Sequence, residues 1–208
     1  DLSLCGEPYQ RMSPEQLQEA LAPYVVPWPV TTRLHQANAY FPEDCWIKRE
    51  DEHSGGIIGT KYRKFTGLVA YWRRAGIRHL LIWGSASSNN VMGLVQLANE
   101  EGLTYTLCLL ANQHPPAFTG NHLWLQLLAR PGAAVHYIDR ETWHTYQLPE
   151  PLKQASHLTI PEGAQMPAAL PGCLLLAKEL MDQEAAYGVS FSHIFIDSGK
   201  GLTAIGLL

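Results

Sequence analysis

A chain of 208 residues is long enough for one large domain or two small ones, and its 46% hydrophobic content supplies a core, which excludes a disordered chain. Fifteen Lys and Arg against nineteen Asp and Glu leave a net charge of −4, without the basic excess that nucleic acid or an anionic membrane surface calls for, so the expected partner is a small molecule. Charged residues make up only 16% of the chain, below the roughly 25% of an average soluble domain, which points to surface covered by further chain or a second subunit.

Ser13-Pro14-Glu15-Gln16 has the pattern of a helix start, with Ser13 as N-cap, Pro14 in the first turn and Gln16 completing a capping box. That helix is expected to end before Pro27-Trp28-Pro29. An extended segment then leads to the apolar piece Cys45-Trp46-Ile47 and the charged stretch Lys48-Arg49-Glu50-Asp51. The glycines of Ser54-Gly55-Gly56-Ile57-Ile58-Gly59 predict a loop. Phe65, Leu68, Val69 and Trp72 recur at helical spacing, predicting a helix capped by Thr60 and closing near Gly76. Beyond it come a strand over 79–83, a polar loop from Gly84 to Asn90, a helix over 91–101, a strand over 104–110, a helix over 121–129 and a strand over 133–138.

The stretch from Pro149 to Pro171 holds five prolines and little periodicity, and it reads as a surface linker between two lobes. A helix over 174–187 and a strand over 192–196 follow. The turn Asp197-Ser198-Gly199-Lys200-Gly201-Leu202-Thr203 then opens a last helix that has only about six residues to run. That is short of the ten or so usual for a helix, and predicts a truncated chain. Helices alternating with short apolar strands imply an α/β fold built on a parallel sheet.

Cys5, Cys45, Cys108 and Cys173 are far apart, with no CxxC pair and no secretory leader, so reduced thiols and a cytoplasmic location are expected. The longest run without Asp, Glu, Lys or Arg, over 102–129, contains Asn112, Gln113, His114 and Pro115-Pro116, and predicts no membrane helix. The nine histidines form neither HExxH nor HxH, so no metal is expected.

Two loops have the small residues that let backbone N–H groups approach an anion: Gly84 to Asn90 and Ser198 to Thr203. The second is the better phosphate cradle, because Gly199 and Gly201 permit close approach and Thr203 adds a hydroxyl. It is not a Walker loop, since Lys200 is followed by Gly201 rather than Ser or Thr and Ile194 stands in place of the leading Gly. An ordinary strand-to-helix turn has the same composition. Lys61 lies one turn before Phe65 on the apolar stripe and should face inward. There its amine would be pushed toward the neutral form that attacks an aldehyde to make a Schiff base. A lysine snorkelling from a helix start is the alternative. Arg63, Arg73 and Arg74 lie off the stripe and are expected to face solvent, while Lys64 could neutralise a phosphate held near Lys61. Ser88 and Asn89 offer a hydroxyl and an amide to a bound ring, or else form a helix cap.

Taken together, Lys48-Arg49-Glu50-Asp51, the glycine-rich loop, Gly59-Thr60-Lys61-Tyr62-Arg63-Lys64-Phe65, Ser88-Asn89 and Ser198-Gly199-Lys200-Gly201-Leu202-Thr203-Ala204-Ile205-Gly206-Leu207 resemble one family. This is the 1-aminocyclopropane-1-carboxylate deaminase and D-cysteine desulfhydrase group of pyridoxal-phosphate enzymes, with its KRDD, GNKxRKL, QSNH and GSGGTxAGL motifs. The likeness runs from about Pro27 to Leu208, and the lysine motif is its most specific part.

The resemblance implies a two-lobed, tryptophan-synthase β-like fold: 1–60 belonging to the larger lobe, 61–150 forming a small α/β lobe, 151–172 a linker, and 173–208 opening the larger lobe's second half. It implies pyridoxal 5′-phosphate as cofactor, a small amino acid as substrate and a homodimer for the full-length protein. Lys61 would bind the cofactor covalently and act as base once released, Lys64 would contact its phosphate, and Asn89 would bond its 3′ oxygen. Ser88 would face the substrate. Gly199, Lys200, Gly201, Leu202 and Thr203 would hold the phosphate.

Thr60 stands where the family has Asn, Ser87 where it has Gln, Asn90 where it has His, and Lys200 and Leu202 where it has Ser and Gly. If position 202 needs a positive φ, Leu202 would distort the loop, and Lys200 would add compensating charge. The reactions implied are β-elimination from D-cysteine or ring opening of the cyclopropane amino acid, each releasing ammonia and a 2-oxo acid. A homologue without catalysis that serves as a binding module, and a phosphosugar or nucleotide binder with no need of Lys61, are the other readings.

Overall fold

A computed structural model describes residues 12–27, 31–38, 40–42, 44–53, 59–111, 120–149, 152 and 154–208. Cys5 and most of the glycine-rich loop, 54–58, lie outside these residues.

Helix α1, Pro14–Leu21, begins with the expected capping box: the Ser13 hydroxyl accepts from the Gln16 N–H, and the Gln16 side chain accepts from the Ser13 N–H at 2.8 Å. A two-stranded antiparallel ribbon follows, β1 (Leu34–Gln36) with β2 (Trp46–Lys48). Helix α2, Lys61–Arg74, starts where the periodicity put it. Thr60 does not cap it, since its φ of −60° and ψ of −13° are already helical and its side chain makes no cap bond.

The remaining pattern alternates: β3 (His79–Ser85), α3 (Asn89–Glu100), β4 (Thr104–Leu110), α4 (Gly120–Leu128), β5 (Ala134–Ile138) and β6 (His157–Ile160), then α5 (Leu170–Tyr187) and α6 (Leu202–Ile205). Strands β5, β4, β3 and β6 form one sheet in that order, every neighbouring pair parallel. This is the α/β architecture the alternation predicted.

Two expectations are corrected. Within the stretch read as linker, β6 pairs with β3 from His79↔His157 to Ile82↔Ile160. Its two inward residues, Leu158 and Ile160, are buried and alternate with half-buried His157 and exposed Thr159, a period-two signal too short to stand out among prolines. Helix α5 likewise begins at Leu170, because Pro171 sits in the first turn, where its missing N–H costs nothing. Residues 192–196, read as a strand, pair with no strand among the described residues, and Phe195 is exposed.

The main core gathers Phe65, Leu68 and Trp72 of α2, Leu80 and Ile82 of β3, Val91 and Leu94 of α3 and Leu107 and Leu109 of β4. Against α2 packs α5, and two glycines set how closely. A Cβ on Gly172 would lie 1.8 Å from the Arg63 carbonyl oxygen, and one on Gly67 would lie 2.5 Å from that of Ala168. No helix among the described residues is long and apolar enough to cross a membrane, and Cys45, Cys108 and Cys173 are free thiols.

Candidate functional site

The contact of α2 with α5 is also electrostatic, and it fixes the orientation of the first turn of α2. Arg63 is buried rather than solvent-facing, a correction of the sequence expectation. Its Nη2 donates to Glu50 Oε1 at 2.8 Å and its Nη1 lies 2.6 Å from Glu179 Oε2. Glu179 is paired on its other oxygen with Lys48, which also donates to the Thr32 carbonyl at 2.7 Å and to Gln183 Oε1 at 2.8 Å. The His53 ring stacks on Tyr62 at 4.4 Å between centroids and sets its Nε2 3.4 Å from Glu50.

Lys48 and Glu50 of the charged stretch thus clamp the helix rather than form part of the cavity described below. Burial pushes the Glu50 carboxyl up, but His53, Arg63 and Thr32 together outweigh it and hold the group far below the usual carboxylate range. For Glu179, burial is likewise outweighed, by Arg63 and Lys48. Arg73 and Arg74 lie at the surface as expected. Arg63 differs because α2 has a second buried stripe, Arg63-Thr66-Gly67-Ala70, facing α5.

With α2 so held, Lys61 and Lys64 lie three residues apart and enter one cavity of about 280 Å³. Its other walls are the N-terminal turn of α3 (Ser88, Asn90), the turn at Glu162-Gly163, and the loop from Asp197 to Ala204. Lys61 is half-buried, and among the described residues no hydrogen bond or ion pair reaches it. Burial lowers Lys64 below the usual lysine range, Cys173 pulling it up and the Lys61 charge adding to the fall. The Lys64 ammonium lies 3.4 Å from the Gly163 carbonyl oxygen.

Ser88 does cap α3, its hydroxyl accepting from the N–H groups of Asn90 and Val91 at 3.2 and 3.4 Å, and it lines the cavity as well. Asn89 is brought elsewhere: it is exposed, outside the cavity, and its carboxamide oxygen accepts from Asn121. Asn90 takes the inward place, 4% exposed, with neither atom of its carboxamide partnered among the described residues. The signal for it was available, because once Ser88 is the cap, Asn90 falls on the stripe of Leu94 and Leu97.

Gly199, Lys200, Gly201, Leu202 and Thr203 all line the cavity. Gly201 alone among them has a positive φ, +80°, while Leu202 is helical and buried, so the distortion considered for position 202 does not arise. A wider cavity of about 510 Å³ is bounded by Leu81, Trp83, Tyr146 and His157, but neither a lysine nor a glycine loop lines it. Among the described residues, no group of three His, Cys, Asp or Glu converges as a metal site needs.

Chemically, the smaller cavity combines an amine with no ion pair and a buried carboxamide with no partner among the described residues, a second and third lysine, and backbone N–H groups at a glycine turn. That donor set fits a phosphorylated aldehyde with polar ring substituents. No model of a known protein family matches the chain. Among curated proteins it is similar to nocardicin C-9′ epimerase of Nocardia uniformis subsp. tsuyamanensis, 28% identical over 185 residues, covering 85% of this chain and 55% of that one. It is also similar to D-cysteine desulfhydrase of Serratia proteamaculans (strain 568), 27% identical over 192 residues, covering 84% and 55%. The chain therefore spans about half the length of these relatives. A solved structure of an ACC deaminase homologue shares the fold, with a TM-score of 0.76 at 24% identity, over 92% of this chain and 60% of that one.

Proposed function

We infer from the 1-aminocyclopropane-1-carboxylate deaminase and D-cysteine desulfhydrase family, which these likenesses support for the chain, that it is the pyridoxal-phosphate-binding part of an enzyme acting on a small amino acid. The observation that carries this reading is the meeting of Lys61 and Lys64 with the 199–203 loop in one cavity, from two distant parts of the chain.

Bound there, pyridoxal 5′-phosphate supplies an aldehyde that captures amines and a ring that accepts the electron pair left at a substrate's α-carbon. The residues of this chain supply the rest. Lys61 would offer the amine to hold the aldehyde, and the same Nζ is the group that would take and return a proton. Lys64, Lys200 and the backbone N–H groups of the loop oppose the phosphate's charge, and the hydroxyl of buried Thr203 adds a donor. The Asn90 carboxamide is the polar group whose hydrogen bonds are still to be made, and Ser88 borders the space left for substrate.

The reactions this supports are release of pyruvate, ammonia and sulfide from D-cysteine, or of 2-oxobutanoate and ammonia from the cyclopropane amino acid. A second reading is favoured by one relative's being an epimerase: inversion at an amino acid's stereocentre. Titration of the purified chain with pyridoxal 5′-phosphate, followed by visible absorbance, tests the binding step. A Schiff-base band in the wild type that is missing in Lys61→Ala is expected, and equal spectra for the two proteins would overturn the reading.

A further inference from the structure

We propose that Glu162 is an internal competitor for the anion site: by pairing with Lys200 it withholds one of the cavity's three lysines until a doubly charged phosphate draws that lysine away. The inference rests on the anion-binding role given above to the 199–203 loop.

Lys61, Lys64 and Lys200 line the cavity, and so do two carboxylates, Glu162 and Asp197. Of the three lysines, Lys200 alone has an ion-pair partner among the described residues, its Nζ lying 3.1 Å from Glu162 Oε2. Both side chains of that pair are about half exposed, 48% and 50%. A pair so open to water is weak and is easily exchanged for a stronger anion.

The rest of Lys200 is held in place. A Cβ on Gly163 would lie 2.8 Å from Lys200 Cγ, so the glycine packs against the lysine stem, and Gln165 Nε2 donates to the Lys200 carbonyl at 3.3 Å. The turn that carries Glu162 is fixed as well. Gly163 and Ala164 both have positive φ, +73° and +54°, and Ala164 is fully buried, a conformation that an L-residue keeps only where its surroundings enforce it. The same turn meets the second cation through the Gly163 carbonyl and Lys64. Only the charged end of Lys200 is therefore left to move, between the Glu162 carboxylate and an anion in the loop. Since a phosphate dianion outbids one carboxylate while a monovalent anion does not, the pair selects for phosphate.

The test is calorimetric titration of the chain with inorganic phosphate, using the wild type, Glu162→Gln, Lys200→Met and the double variant; methionine keeps the stem that packs on Gly163. Glu162→Gln is expected to tighten phosphate binding by about two- to fivefold, Lys200→Met to weaken it, and Glu162→Gln to change nothing once Lys200 is Met. If Glu162→Gln leaves affinity unchanged or lowers it, or tightens binding equally without Lys200, the competitor role is overturned while the anion site stands. If none of the four proteins binds phosphate, the anion site falls, and the proposed cofactor role and this inference fall with it.

Discussion

At Arg63 one guanidinium answers two carboxylates in a nearly water-free place, and its loss is expected to be costly to the fold. Removing one partner of a buried ion pair leaves the other charge desolvated and unopposed. Here Glu179 would keep Lys48 and Thr32, and Glu50 only Thr32 and His53, so Arg63→Met is expected to lower unfolding free energy by about 3 kcal/mol. Arg73 also makes a two-point contact with a glutamate, Glu101, but its side chain is 57% exposed, and Arg73→Ala is expected to cost under about 1 kcal/mol. Urea unfolding of the two variants separates a clamp from a surface pair. The distinction was invisible in the spacing of α2 alone, because a second buried stripe follows from what packs on the helix, and α5 does not begin until Leu170.

Among the elements, α2 and α3, which both bring residues to the cavity, start in different ways. Helix α3 begins on a side-chain cap, the Ser88 hydroxyl meeting two backbone N–H groups, whereas α2 begins on a Thr60 that makes no such bond. Ser88→Ala should therefore cost about 1 kcal/mol in thermal or urea unfolding, and Thr60→Ala less than about 0.5 kcal/mol. Equal costs would contradict this account of both termini. The first turn of α2 is held instead by the Tyr62 N–H donating to the Gly59 carbonyl at 3.1 Å, by Tyr62 stacking on His53, and by the Arg63 clamp at the third residue. The elements with strong periodicity, α2, α3, β3 and β4, were legible in sequence to within two residues. Strand β6 was not, because four residues between prolines carry too little pattern; it is specified instead by the partner edge of β3.

Over the whole molecule, the clamp joins the β1–β2 ribbon, α2 and α5, and its protonation sets how the fold responds to acid. Glu50 and Glu179 are held below the carboxylate value of 4.5 that they take when exposed. A depressed carboxylate contributes stability that is complete above its unfolded pKa and is lost as pH falls through its folded one. Stability should thus be level near neutrality and decline from about pH 4.5 downward, and Arg63→Met should flatten that decline, as followed by circular dichroism across pH.

The candidate site was legible to a similar degree as the fold. Lys61, Lys64, Ser88 and the 199–203 loop were named from motifs and share a cavity, while Asn90 was passed over for its neighbour Asn89. A motif names residues in order, but which of two adjacent asparagines turns inward depends on where the helix begins. Glu162 carried no motif at all, and its place at the cavity arises only from the strained turn that follows β6.

The most direct measurement of the central claim is borohydride reduction of the chain mixed with pyridoxal 5′-phosphate, followed by digestion and mass spectrometry of the peptides. The account predicts a stable phosphopyridoxyl adduct on Lys61, dominant over every other lysine and lost in Lys61→Ala. Labelling spread evenly over surface lysines, or a dominant adduct on any residue other than Lys61, would contradict it.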